Sequence, residues 1–205
     1  MDIKKYILIF PFIILTSCAS HLPLPMDKLT GYFPASKKLS KEKITVSVKT
    51  KDLPKYAFLN LRIDMGSYTS SVDDEAKELI NDAFTKIGFL KIIKDHELRS
   101  LTEIATPNVN IVDINNIRVL NEASKKLGRF LVAEVIFRNA VTTSGKRLFK
   151  IRLIDPYIGT IVFSAENITN VWESFQKELY YPVFNEVLDW YRKQEFMEIN
   201  NKIAI

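Results

Sequence analysis

The chain has 205 residues, 29 basic against 24 acidic, a formal net charge of +5, and 47 % apolar residues. That is enough apolar chain for one domain with its own core, and the charge excess is too small and too scattered to call for a nucleic-acid partner. A single cysteine excludes an internal disulfide or a thiolate metal site, so stability must come from apolar packing.

The amino-terminal segment comes first. Lys4 and Lys5 precede an apolar run from Tyr6 to Leu15, followed by Leu15-Thr16-Ser17-Cys18-Ala19. A run of about ten residues is too short to cross roughly 30 Å of hydrocarbon as a helix, and Pro11 weakens it further. Basic residues, an apolar stretch and small residues before a cleavage point are the parts of a signal peptide. The segment resembles the lipobox of bacterial lipoprotein precursors. The resemblance implies cleavage after Ser17, a diacylglycerol on the Cys18 thiol and an acylated new amino terminus. It also implies an outer-membrane address facing the periplasm, because Ala19 stands where an Asp would retain the protein in the inner membrane. Residues 1–17 are then a signal peptide, and 188 residues remain (205 less 17).

Residues 18–43 read as a lipidated flexible tether. Pro23, Pro25 and Pro34 interrupt regular structure, and Lys37, Lys38, Lys41 and Lys43 favour solvation. Fully stretched, such a tether reaches at most about 80–90 Å. Leu22, Leu24, Tyr32 and Phe33 are the residues in it able to dock.

Residues 44–205 read as the folded domain. Ile44–Val48 alternates like a strand, and a second strand covers Tyr56–Asp64, with Leu59, Leu61 and Ile63 on one face. A helix over Val72–Ile87 carries Ala76, Leu79, Ile80, Ala83, Phe84 and Ile87 in one stripe. Ser71 is its candidate N-cap, Asp73, Asp74 and Glu75 suit its first turn, and Gly88 ends it. Phe89–Ile93 reads as a central strand, Asp95–Leu101 as a short helix, Thr102–Asp113 as a loop, and Ile114–Leu127 as a helix stopped by Gly128. Phe130–Phe137, almost wholly apolar, suits a strand covered on both faces. Arg147–Ile154 and Thr160–Ser164 read as strands about an Asp155–Gly159 turn. A final helix over Val171–Arg192 should kink or split at Pro182, with residues 196–205 as a tail. The order β-β-α-β-α-α-β-β-β-α predicts an α/β (α+β) domain with helices packed on a mixed sheet.

Three stretches carry a second resemblance. They are the helix into a strand over residues 76–93, the helix ending in Leu127-Gly128 before a buried strand over 123–132, and the strand–turn–strand over 151–162. The pattern resembles a group of envelope domains: the curli-secretion channel lipoprotein, the amino-terminal domain of TolB, flagellar outer-membrane lipoproteins and the lipoproteins that activate penicillin-binding proteins. Where that group usually has Gly-Ala-Asp, this chain has Gly128-Arg129-Phe130. The resemblance implies a domain that works by contact with other envelope proteins.

Chemistry-bearing patterns are few. His21 and His96 are too far apart for a recognisable metal spacing. Six glycines form no phosphate-binding loop, and Ser67, Ser70 and Ser71 lack a nucleophile elbow. Glu134, alone in an apolar strand, is expected at a sheet rim or paired with Arg152. Trp172, Phe175, Tyr180, Tyr181, Trp190 and Tyr191 concentrate aromatic surface on the last helix, as core or as a contact face. No catalytic residue, cofactor or metal ligand is assigned; the one site is Cys18, for lipidation. The sequence therefore predicts a lipid-anchored, non-enzymatic periplasmic interaction or assembly factor of a secretion, flagellar or cell-wall machine. Its partners are the membrane, through the lipid, and other envelope proteins, with oligomerisation left open. The alternatives are a pore-forming export subunit, for which Arg147–Ile154 is short, and an envelope hydrolase, which lacks a catalytic constellation.

Overall fold

A computed structural model describes residues 26–47, 55–66, 71–88, 90–107, 113–139, 145–170 and 176–203. The elements are β1 (Ile44–Val46), β2 (Phe58–Asp64), α1 (Ser71–Ile87), β3 (Lys91–Ile93), α2 (Asp95–Ala105), α3 (Ile117–Leu127), β4 (Leu131–Asn139), β5 (Lys146–Asp155), β6 (Thr160–Asn170) and α4 (Tyr181–Ile203). Their order matches the predicted one. They build a six-stranded mixed sheet, β1-β6-β5-β4-β2-β3, with helices on it. Strands β3, β2 and β4 run parallel, and β4, β5, β6 and β1 are antiparallel. Parallel neighbours need a long crossover, which α1 supplies between β2 and β3.

Strand alternation divides the core. One sheet face carries Leu59, Leu131, Ala133, Val135, Phe137, Phe149, Ile151, Leu153 and Phe163, and packs on α1 and α4. The predicted α1 stripe is buried at all six positions. From α4, Phe184 meets Phe149 at 5.4 Å and Phe84 at 5.9 Å between ring centroids, and Trp190 lies 5.5 Å from Phe163. Tyr180, Tyr181 and Trp190 are therefore core. The opposite face carries a smaller cluster, with Phe58 stacked on Phe130 at 4.7 Å beside Leu98, Leu120 and Val132. Among the described residues, helices α2 and α3 cover this face near β3, β2 and the start of β4.

Several expectations need correction. The Phe89–Ile93 strand is not central: β3 lies at the sheet edge and pairs only with β2. α2 runs on to Ala105, because the buried Thr102 and Thr106 hydroxyls donate to carbonyls four residues back, at 2.7 Å each. α3 starts at Ile117, with the Asn116 side chain accepting from the Arg118 N–H. β6 continues to Asn170, its inward positions filled by Ala165, Asn167 and Thr169. The last helix begins with a π-helical turn over Gln176–Tyr180. The change from π-helix to α-helix falls beside Pro182, where the sequence predicts the helix to split. The backbone of residues 196–203 is helical rather than a tail.

The largest correction concerns the tether. Within its span, residues 31–36 are docked along α4 and the π-helical turn before it. Phe33 is 2 % exposed and stacks on Tyr181 at 5.1 Å. Its N–H donates to Asn185 Oδ1, and Asn185 Nδ2 returns a bond to the Phe33 carbonyl, both at 2.9 Å. The Tyr32 hydroxyl donates to Asp189, and Arg192 donates to the Gly31 carbonyl at 2.7 Å while its guanidinium covers the Tyr32 ring. Ser36 donates to the Lys177 carbonyl. Contacts stepping from Arg192 back to Lys177 make residues 31–36 a strap antiparallel to α4. The composition of the stretch is that of a solvated linker, but one buried aromatic and a side-chain amide pair outweigh it.

Candidate functional site

The half-covered sheet face has its side chains in register. Arg62, Glu134, Arg152 and Ser164 form one row across β2, β4, β5 and β6. Asp64, Ile136, Lys150 and Glu166 form the next, and Arg138, Leu148 and Ile168 follow across β4, β5 and β6. Cross-strand neighbours on one face interact directly. Lys150 meets Glu166 at 2.6 Å, and Arg152 meets Glu134 at 3.7 Å, as expected for Glu134.

Where this ladder meets α3, a cleft of about 300 Å³ opens. Leu120, Val132 and Ile154 give it an apolar floor, and Arg62 and Glu134 line its polar side. Ile117 and Ile161, 40 % and 36 % exposed, lie at its margin on α3 and β6. Tyr157 and Ile158, on the adjoining β5–β6 turn, are also exposed large apolar residues. Arg62 ties the walls together. Its Nε donates to Asn60 Oδ1 at 2.8 Å and lies 3.4 Å from Asp95, and its Nη2 donates to the Ile114 carbonyl at 2.8 Å. Asn60, fully buried, donates in turn to the Ile93 carbonyl and to Asp95.

A buried carboxylate holds the other wall. Asp155, 0 % exposed, ends β5. It accepts from Arg129 Nη2, from the Tyr56 hydroxyl at 3.1 Å and from the Tyr157 N–H at 2.9 Å. The Asp155 carbonyl accepts from the Gly159 N–H, closing a turn whose Gly159 has φ +67°, a value that favours glycine. Asn121 on α3 donates to the Pro156 and Tyr157 carbonyls, fastening the turn to α3. Burial, followed by the Asp155 charge, pushes the Tyr56 hydroxyl far above its ordinary value, so Tyr56 stays a neutral donor. Arg129 is thus the cation balancing Asp155.

The sequence-flagged residues are spread out. Cys18, His21, Ser67, Ser70, Trp172 and Phe175 lie outside the described residues. His96 is exposed in the first turn of α2, and Asp74 pairs with Lys77 on the surface of α1. Among the described residues, no three His, Cys, Asp or Glu side chains converge on a metal position, and no helix is long and apolar enough to cross a membrane. Sequence reading missed the cleft and the Asp155 network. Asp155 was legible only as a turn residue, and the cleft joins residues from five elements.

No protein-family model matches the chain, and no curated protein matches it in sequence. Among solved structures, it is similar in outline to the LpoB C-terminal domain from Salmonella enterica. That pair is 12 % identical over 58 % of this chain and 87 % of that one, at a TM-score of 0.38. A lipoprotein from Neisseria meningitidis is 13 % identical over 73 % of this chain and 97 % of that one, at 0.35. The PelC dodecamer from Paraburkholderia phytofirmans is 16 % identical over 67 % and 90 %, at 0.34.

Proposed function

We propose that the protein is a lipid-anchored, non-enzymatic interaction factor of the bacterial envelope, held at the outer membrane by Cys18, and that the cleft face binds its protein partner. The observation that carries the reading is the cleft with Ile117 and Ile161 exposed at its margin. An apolar floor beside tied charges suits an extended segment that inserts an apolar side chain and matches charges along the ladder. The ionisable groups lining the cleft, Arg62 and Glu134, are both engaged in ion pairs. The Leu15-Thr16-Ser17-Cys18 sequence supports the anchor, since two acyl chains hold where one is marginal.

Two variants test the two halves separately. Cys18→Ser should block processing and leave the precursor unlipidated; normal processing would remove the anchor from the reading. Ile117→Asp with Ile161→Asp, both at exposed positions, should leave the melting midpoint unchanged and abolish the native-size complex extracted from envelopes in mild detergent. An intact complex in that variant would remove the cleft as the binding face.

A further inference from the structure

We infer that the strap side of the domain rests on an anionic bilayer through the Asp27–Gly31 turn, so that the cleft faces away from the membrane. The inference rests on the proposed lipidation of Cys18.

Three observations carry it. First, the chain is already held at Met26, which packs against the core, and this shortens the leash. Eight residue steps separate Cys18 from Met26, at most about 26–29 Å fully extended. A domain of this size is roughly 40 Å across, so the anchor cannot let it turn freely. Second, the turn presents an unsupported apolar residue in a fixed frame. Leu29 is 98 % exposed. The Asp27 carboxylate accepts from the Leu29 and Thr30 N–H groups at 2.8 and 2.9 Å, and the Gly31 N–H donates to the Asp27 carbonyl at 2.7 Å. Those bonds hold the Asp27 carboxyl below its usual range.

Third, the charge complements an anionic surface. The strap sequence 26–43 holds five lysines, at 28, 37, 38, 41 and 43, against Asp27 and Glu42. Both acids stay charged, so the strap carries an excess of three positive charges, five lysines less two acids, with the Asp27 carboxylate turned into its own loop. Lys28, Lys37 and Lys41 are exposed and make no ion pair among the described residues. Lysines beside an exposed apolar residue, next to a lipid anchor, are the combination that seats a surface on anionic lipid. The orientation follows from the sheet. The strap lies on α4, α4 packs on one sheet face, and the cleft opens on the other.

The test uses the full lipidated protein, reconstituted into vesicles of phosphatidylcholine and phosphatidylglycerol in equal parts, or of phosphatidylcholine alone. With Cys18 blocked by lipid, Leu29→Cys supplies one free thiol for a fluorophore, and Ile161→Cys supplies the comparison. In the mixed vesicles, a lipid-borne quencher should reach the label at 29 and leave the label at 161 bright. Quenching at 29 should fall in neutral vesicles or in high salt. Lys28→Gln and Lys37→Gln should each lower the docked-to-free ratio about five-fold. Equal brightness at both positions on lipidated protein, or preferential quenching at 161, overturns the orientation while leaving the anchor intact. A mass without diacylglycerol on Cys18 overturns the anchor reading, and the inference with it.

Discussion

One sheet has two unlike faces. Against α1 and α4 it is dry and aromatic, with Phe33, Phe84, Phe149, Phe163, Phe184 and Trp190 in a single cluster. On the other side α2 and α3 cover one end only, and the remaining positions alternate charge with half-buried aliphatics. The comparison teaches where stability and recognition reside. Burying an aromatic side chain is worth a few kcal/mol, whereas exposed ion pairs contribute about 0–1 kcal/mol. The closed face carries most of the aromatic burial, which leaves the uncovered end of the other face free to be shaped by what it binds.

The largest effect should come from the closed face. Phe184→Ala, which removes contacts to Phe33, Phe84 and Phe149, should cost about 3–5 kcal/mol, read by denaturant titration. A loss below about 1 kcal/mol would mean that α4 does not carry the core. Next, Asp155→Ala should cost about 2–4 kcal/mol, because it strands the Arg129 cation and the Tyr56 hydroxyl. It should also speed hydrogen exchange at the Tyr157 amide, whose acceptor is the Asp155 carboxylate. On the open face, Arg152→Ala should change stability by no more than about 1 kcal/mol while altering partner binding. A loss as large as that of Phe184→Ala would erase the distinction between the faces.

The smallest effect should be pH-dependent and local to the strap side. Burial, followed by the nearby Asp189 charge, holds the Glu186 carboxyl above its usual value. A carboxyl raised in the folded state binds its proton more tightly there. Its ionisation therefore opposes folding above the folded value, and the penalty disappears as pH falls below the unfolded value near 4.5. Glu186→Gln should raise the melting midpoint at pH 7 and leave it unchanged near pH 4. The opposite pH order would show that Glu186 is instead held ionised by Lys38 and Lys193.

The sequence was most legible where a single element decides its own fate. The α1 stripe and the alternation of β5 follow from local spacing. It was least legible where distant partners decide. β3 is apolar enough for a central strand, yet sheet order is set by the α1 crossover and the α2–α3 connection. β6 looked short because Asn167 and Thr169 are polar, and Asn167 is buried only by donating to the Glu178 and Leu179 carbonyls. The strap read as linker because Phe33 finds its partners some 150 residues later, at Tyr181 and Asn185. The cleft was illegible for the same reason, since five elements far apart in the chain assemble it.

The central claim is that one face anchors and the opposite face recognises. Photo-crosslinking in intact envelopes tests it most directly, with the reactive residue placed in turn at Ile161 and at Leu29. The account predicts discrete protein adducts from position 161 and lipid adducts from position 29. Protein adducts from 29 together with lipid adducts from 161 would contradict it.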